Sequence, residues 1–347
     1  MRDTLNVLKK IIPNEINILQ KRYTILKGIE NNGPIGRRHL SQILNFSEKT
    51  IRKEVEFLKV LEFVQVSASG MSITKAGSIV LDELETIIHQ LRGLSNLEIV
   101  IKSEIKCQDI IIVPGDIDED DNVKISIGKA AAAKLLQKLH NNCIVAITGG
   151  STAFNVVHAI KPQSKKYEDV LILPARGSLR NNVEYQANTL ASVLADRLKV
   201  NYDLLNIPDN LSRKALDSVR NEPDIQKIIK KILESDIILF GIGNANEMAK
   251  RRNLQQTKID FLKRKKAVAE ALGYYFNKNG EIVYTSRSIG IKLEQMKKIS
   301  YPIAVAGGKS KAKAILAVRD FIRKGCLVID EGAANEIIKI LNDRNIN

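Results

Sequence analysis

Apolar positions recur at helical spacing through the first sixty or so residues. Over 17–30, Ile18, Leu19, Ile25, Leu26 and Ile29 share one side of a helix. Asn31-Asn32-Gly33-Pro34 then breaks the pattern. Residues 35–44 read as a short second helix. Ser47 is a natural N-cap for a third, which runs to about residue 61 with Ile51, Val55, Leu58 and Leu61 on its core side. Alternation replaces the helical period at Val64-Gln65-Val66 and Met71-Ser72-Ile73-Thr74, on either side of Ala68-Ser69-Gly70, and predicts a small β-hairpin. Three helices followed by a hairpin make a winged helix-turn-helix.

From 74 to about 102 the helical period returns, with Leu81, Leu84, Ile88 and Leu91 as its apolar stripe. A helix here would join two domains, and its stripe is expected to pair with a second copy in a homodimer or homotetramer. Packing within one chain is the alternative, and Gly93 is a candidate break. The rest alternates strand patterns (110–113, 144–148, 170–173, 237–240, 303–306, 327–329) with helical ones (127–139, 152–160, 188–198, 225–233, 311–324). That order predicts an α/β domain, a doubly wound and mainly parallel sheet with helices on both faces. Residues 116–121, rich in aspartate, read as a solvent-facing acidic loop. The expected division is 1–92 for the winged-helix domain with its linker helix and 93–347 for the α/β domain.

A chain of 347 residues with 44% hydrophobic and 27% charged residues suits a soluble two-domain protein. No apolar run reaches the length of a membrane span, and MRDTLNVLKK lacks a signal-peptide core, so a cytoplasmic protein without membrane partners is expected. Cys107, Cys143 and Cys326 are scattered and odd in number. They give neither a disulfide framework nor a CxxC metal knuckle, and read as buried reduced thiols; no metal is expected. The formal charge of +15 changes the picture more, because it implies an anionic partner. Residues 1–95 carry 14 Lys/Arg against 10 Asp/Glu, so most of the excess lies further on, around 251–266 and 309–324. DNA alone does not account for that distribution; a second anionic ligand does.

A recognition helix enters the major groove by its N-terminal end, where short polar and basic side chains must cluster. Ser47, Lys49, Thr50, Arg52 and Lys53 supply that cluster, and Arg37 and Arg38 open the preceding helix as phosphate contacts that set register. Double-stranded operator DNA is the expected partner.

In parallel sheets, ligands sit beyond the carboxyl ends of the strands. Three such ends carry glycine: Gly149-Gly150-Ser151-Thr152, Gly241-Ile242-Gly243-Asn244 and Gly307-Gly308-Lys309-Ser310. Glycine lets backbone N–H groups approach an anion, and a following helix adds a favourable dipole. Two nucleotide motifs fail here. A Walker A loop ending at Gly308-Lys309-Ser310 would need glycine at Ile303, and a dinucleotide fingerprint starting at Gly241 would need it at Asn246. Arg176, Arg251, Arg252, Lys309 and Lys311 follow strand ends and suit phosphate, while Gln186 and Glu270 suit sugar hydroxyls.

In these stretches the chain resembles the sugar-sensing SorC/DeoR-type bacterial regulators, through TGGST (148–152), LPARGSL (173–179), YQANTLAS (185–192), GIGNANEMAKRRN (241–253), AVAEALGYYF (267–276) and AVAGGKSKAKAI (304–315). The order of all six is specific, and the likeness extends over the winged-helix front. The resemblance implies a repressor of glycolytic genes with fructose-1,6-bisphosphate as effector and no resident cofactor. It implies a sensing domain with the fold of phosphosugar isomerases of the glucosamine-6-phosphate deaminase type, without catalysis. One phosphate would rest on Gly149, Gly150, Ser151, Thr152 and Lys311, with Arg176, Gln186, Arg251 and Glu270 around the rest of the ligand. Lys309 replaces the small polar residue of the family pattern, which leaves open whether Lys309 or Lys311 meets phosphate.

Two other classes compete. A phosphosugar isomerase or deaminase with a DNA-binding appendage needs a general base, and Glu270 is the sole candidate in this constellation. A pure oligomerisation module needs neither loop glycines nor clustered cations.

Overall fold

The computed structural model describes residues 2–163, 167–177, 182–207, 212–286 and 289–346. The chain divides into two compact units: Met1–Asn96 with Asp120–Asn122, and Leu97–Glu119 with Val123–Asn347.

The first unit is a winged helix-turn-helix with one helix more than the hydrophobic pattern predicts. That extra helix, Arg2–Ile11, precedes Pro13–Asn32, Arg37–Leu44 and Glu48–Val60. Pro13 opens its helix at a position where the missing N–H costs nothing. Asn45, in the left-handed region, closes the Arg37–Leu44 helix. The wing is β1 (Val64–Ser67) paired antiparallel with β2 (Gly70–Ile73). It folds back on the helices through Ile35 and Met71, which exchange both backbone hydrogen bonds, at 3.0 and 2.8 Å. Gly70 permits this: its φ is +127°, and a Cβ there would lie 2.9 Å from the Ile35 backbone.

The long helix expected over 74–102 breaks at Gly93 (φ +71°) into Lys75–Leu91 and Leu94–Ile105. Its stripe corrects the expectation of a subunit seam. Leu81, Ile88 and Leu91 are buried in the same core as Ile25, Leu26, Ile29, Leu40 and Ile51, with Leu84 packed against it. The wedge of apolar surface left by the winged-helix elements is filled from within the chain. Charge at this stripe therefore attacks folding rather than association. Ile88→Asp should unfold the first unit, because an unpaired buried carboxylate costs several kcal/mol. Circular dichroism and amide exchange would show loss of helix there, whereas a folded, dissociated variant would restore the seam reading.

In the second unit, seven strands form one parallel sheet: β3 (Asp109–Val113), β4 (Ile144–Ile147), β5 (Leu171–Pro174), β6 (Asn201–Tyr202), β7 (Ile237–Gly241), β12 (Tyr301–Val305) and β13 (Cys326–Asp330). Their spatial order is β3-β13-β12-β7-β4-β5-β6. Strands β12 and β13 are buried at every position, as a sheet covered on both faces requires. The chain winds outward from β4 through β5 to β6, then restarts at β7 and winds the other way. The switch point of the doubly wound sheet is therefore the crevice between β4 and β7. Helices Val123–Lys138, Ser151–Ala159 and Ala187–Leu198 supply core residues that pack with the strands.

A second sheet was not visible in the pattern. β8 (Gly243–Asn244), β9 (Ala267–Ala271), β10 (Tyr274–Asn277) and β11 (Ile282–Thr285) form an antiparallel ladder in the order β11-β10-β9-β8. The β9–β10 turn is a two-residue hairpin, Leu272-Gly273, with both φ values positive. The helix expected over 311–324 is instead a 3₁₀ turn, Lys309–Lys311, a short helix, Ala312–Ala317, and a second 3₁₀ turn, Arg319–Phe321. All three cysteines are buried. Burial pushes the Cys107 and Cys143 thiols up to about 11 and that of Cys326 to about 12. Among the described residues, no helix is long and apolar enough to cross a membrane.

Candidate functional site

Helix Glu48–Val60 begins at Ser47, whose hydroxyl accepts the Thr50 N–H at 3.1 Å. Its buried side carries Ile51, Glu54, Val55 and Leu58; its exposed side carries Lys49, Arg52 and Lys53, with Thr50 half-buried between them. Arg22 holds the helix against its neighbour by pairing with the buried Glu54 at 2.8 Å and stacking over Phe57. Arg37 and Arg38 are exposed at the start of the preceding helix, and Arg38 lies 3.7 Å from Glu48. All seven residues predicted to meet DNA thus sit at the leading ends of two consecutive helices. Lys49, about one turn from Arg52 and Lys53 on an exposed face, suits with them a polyanion in a groove. Ser47→Ala should cost about 1 kcal/mol of stability through the lost cap, read as a lower urea midpoint.

On the second unit, the three glycine loops leave β4, β7 and β12 at the same edge, but they are not equivalent. In the β12 loop, Asp330 Oδ2 accepts the Gly308 N–H at 2.7 Å and Asp118 accepts the Ser310 N–H at 2.8 Å. Burial pushes the Asp330 carboxyl up, while the N–H groups of Ala333, Ile117 and Gly308 pull it down; the net shift is upward. Lys309 pairs with Glu119 at 2.9 Å and approaches Asp116 at 3.9 Å. The acidic loop predicted to face solvent keeps Asp118, Glu119 and Asp121 exposed and also reaches this loop, Asp118 through the Ser310 N–H and Glu119 through Lys309. In the β7 loop, Asn244 caps the next helix itself by accepting from Asn246 and Glu247, and Ile242 donates to Val305. Both loops have spent N–H donors on internal acceptors.

The β4 loop differs. Gly149 lies against the backbone of Tyr185, Gln186 and Ala187, so close that a Cβ would stand 2.4 Å from the Tyr185 carbonyl oxygen. Gly150 donates to that carbonyl at 2.8 Å and has φ +124°, with open space where a side chain would go. Helix Ser151–Ala159 starts from it with no side-chain cap. Nearby, Thr148 is 6% exposed and its Oγ1 has no hydrogen-bond partner among the described residues. The loop thus gathers uncapped first-turn amides, the positive end of a helix dipole and the hydroxyls of Ser151 and Thr152, groups that suit an anion. It stands at the switch point, where the fold places ligands.

The remaining predicted residues fall into two groups. Arg176 and Glu270 come together although 94 positions separate them in sequence. Arg176 Nη1 is 3.9 Å from Glu270 Oε1 and Nη2 donates to Ser286 Oγ at 3.2 Å. Glu270 Oε1 also accepts from the Gly273 N–H at 2.6 Å and from Arg252 Nη2 at 2.9 Å. Tyr275, opposite Glu270 on β10, is fully buried, and its hydroxyl is pushed up by burial and by the Glu270 charge. Of the two adjacent arginines read as candidate cations, Arg252 joins this buried cluster and Arg251, the one carried into the predicted site, is exposed. Residues one apart at a helix end lie about 100° round the axis, so sequence adjacency does not choose between them. Lys311 Nζ pairs with Glu247 at the β7 edge and keeps 17% of its side-chain exposure. Gln186 is half-buried beside the Gly149 backbone. Ser178 and Leu179 of the LPARGSL stretch lie outside the described residues.

Comparison with known proteins agrees with this architecture. A family model described as "Putative sugar-binding domain" matches residues 89–339, and one described as "CggR N-terminal DNA binding domain" matches 18–88. The chain is similar to the Central glycolytic genes regulator of Priestia megaterium, 39% identical over 343 residues, spanning 99% of this chain and 100% of that protein. Similarity to the Bacillus subtilis Central glycolytic genes regulator is also 39%, over 98% of this chain and 99% of the relative. Among solved structures, a "putative SorC family transcriptional regulator" from Enterococcus faecalis superposes with a TM-score of 0.66 at 35% identity, over 70% of this chain and 99% of its own.

Proposed function

The chain belongs to the SorC-type family of sugar-binding transcriptional regulators, with the N-terminal DNA-binding domain of the central glycolytic genes regulators, and from that premise we propose that it represses glycolytic genes and senses fructose-1,6-bisphosphate at the Gly149–Thr152 loop. One observation carries the sugar reading: the β4 loop opens a helix with no side-chain cap, whereas Asp330 and Asp118 take amides of the β12 loop and Asn244 caps the helix after β7. A phosphate dianion there would receive the first-turn N–H groups and the Ser151 and Thr152 hydroxyls. Lys311, in the turn after β12, a strand two places along the sheet from β4, would exchange Glu247 for phosphate. Gln186 would reach a sugar hydroxyl, and Arg251 the second phosphate. Glu270, which pairs with Arg252 and lies close to Arg176, would shape the far wall together with Arg176 and meet the ligand through it.

Binding alone does not regulate. The sugar must bind DNA-competent and DNA-incompetent states unequally, and only that difference shifts operator occupancy. On the DNA side, Arg52→Ala and Lys53→Ala should weaken operator binding, by about 1–3 kcal/mol where the side chain reads a base edge. A lost phosphate contact lowers affinity on every sequence; a lost base contact relaxes one position. Gel shifts at physiological salt separate these outcomes, and no change in either variant would remove this helix from the interface. The test of the reading as a whole is operator occupancy with and without fructose-1,6-bisphosphate, which should change in the wild-type chain.

A further inference from the structure

The edge of the parallel sheet opposite the glycine loops carries a separate cluster. Leu139 ends the run of helix Val123–Lys138, and a tight turn through His140, Asn141 and Asn142, with Asn142 in the left-handed region (φ +58°), leads into Cys143 and β4. Asp236 immediately precedes β7, the neighbour of β4. The two strand starts are stitched together: Ile144 N–H donates to Asp236 Oδ2 at 2.9 Å, and Asp236 N–H donates to the Ile144 carbonyl at 2.9 Å. Donor atoms of His140, Cys143 and Asp236 lie within 4.8 Å of one another. Cys143 is fully buried and His140 is exposed, so the cluster has a rigid floor and an open side.

We propose that His140, Cys143 and Asp236 form a site for one borderline-soft divalent cation, zinc foremost, bridging the amino ends of β4 and β7. The donor set selects the metal class. One sulfur, one imidazole nitrogen and one carboxylate oxygen suit zinc or cobalt(II), whereas magnesium and calcium take all-oxygen shells. Three protein donors with an exposed side leave a fourth position for water. Outer contacts already orient two donors. His140 Nδ1 lies 2.8 Å from the Asn141 carbonyl, and the tautomer that donates there leaves a lone pair on Nε2; Asp236 is fixed through the Ile144 N–H. On binding, the Cys143 S–H proton leaves to solvent and the thiolate becomes the ligand. The site closes β4 against β7 at their amino ends, the strands whose carboxyl ends hold the anion loop. A bound ion would therefore stabilise the crevice from below without touching the sugar.

The test is cobalt(II) titration of the full chain, with zinc as competitor. Thiolate-to-cobalt charge-transfer absorption should saturate at one equivalent and be displaced by zinc. His140 is exposed, so His140→Ala should fold normally and weaken cobalt binding at least about tenfold. Asp236→Asn keeps an oxygen for the Ile144 N–H and should weaken it as well. Cys143→Ser should abolish the absorption, while Cys107→Ser and Cys326→Ser should leave it intact. No absorption at one equivalent, an unchanged affinity in His140→Ala, or a signal that survives Cys143→Ser would each overturn the site.

Discussion

Arg252→Ala is expected to destabilise the sugar-binding unit by about 3–5 kcal/mol, because it removes one partner of a buried ion pair and strands the other. Glu270 is 3% exposed and its Oε1 faces Arg252 Nη2 at 2.9 Å, the Gly273 N–H at 2.6 Å and Arg176 Nη1 at 3.9 Å. With Arg252 gone, the close charged donor is lost and only the more distant Arg176 offsets the carboxylate. The effect also reaches the β9–β10 hairpin. Ser286 Oγ accepts from Arg176 and donates to the Gly273 carbonyl at 2.9 Å, so the turn is built around the same charges. Thermal unfolding should show a midpoint lower by roughly 10 °C, since 1 kcal/mol moves a unit of this size by about 2–4 °C. The double variant Arg252→Met with Glu270→Gln should lose clearly less than the sum of its single changes, the mark of direct coupling. A loss in Arg252→Ala within about 1 kcal/mol would mean that the cluster is solvated and the pair contributes little.

Ser151→Asp is expected to keep the fold and lose the sugar. A carboxylate in the first turn of helix Ser151–Ala159 meets the positive end of the dipole and should stabilise that helix by about 0.3–1 kcal/mol. The same charge occupies the place proposed for phosphate and repels it. At about 4 Å, two like unit charges near a protein surface repel by up to ~4 kcal/mol, so a loss of about a hundredfold in fructose-1,6-bisphosphate affinity is the expected scale. The stability and affinity changes run in opposite directions, which a general loss of structure does not produce. Isothermal calorimetry together with a thermal melt reads both. Unchanged affinity in a folded variant would move the phosphate away from this helix.

Much of this fold was legible because burial leaves a period in the sequence. The recognition helix and the wing follow from Ile51, Val55 and Leu58 at helical spacing and from the alternation around Gly70. Strands β7, β12 and β13 follow from short apolar runs, since a sheet covered on both faces needs no polar side. The antiparallel ladder was hidden for the same reason in reverse. Ala267–Ala271 is small-residue sequence with a glutamate at its centre, and Glu270 is tolerated there only because Arg252, Arg176 and the Gly273 N–H converge on it from elsewhere in the chain. In the candidate site, the glycine loops were recognisable one by one, but their ranking was not. Asp118 and Asp330 close the Gly307–Ser310 loop from positions about 190 and 20 residues away. Such long-range partners carry no local signal. The stripe Leu81, Leu84, Ile88 and Leu91 shows the limit of periodicity: it identifies a buried face without saying whether the same chain or another one covers it.

The central claim is a sugar site that reads two phosphates, and calorimetry on the full chain tests it most directly. The compounds are fructose-1,6-bisphosphate and fructose-6-phosphate, titrated under the same conditions. The proposed site predicts one binding event per chain, with the bisphosphate at least about tenfold tighter, since one charge-assisted phosphate contact contributes about 1.5–3 kcal/mol. Equal affinity for the two sugars, or no heat from either, would contradict it.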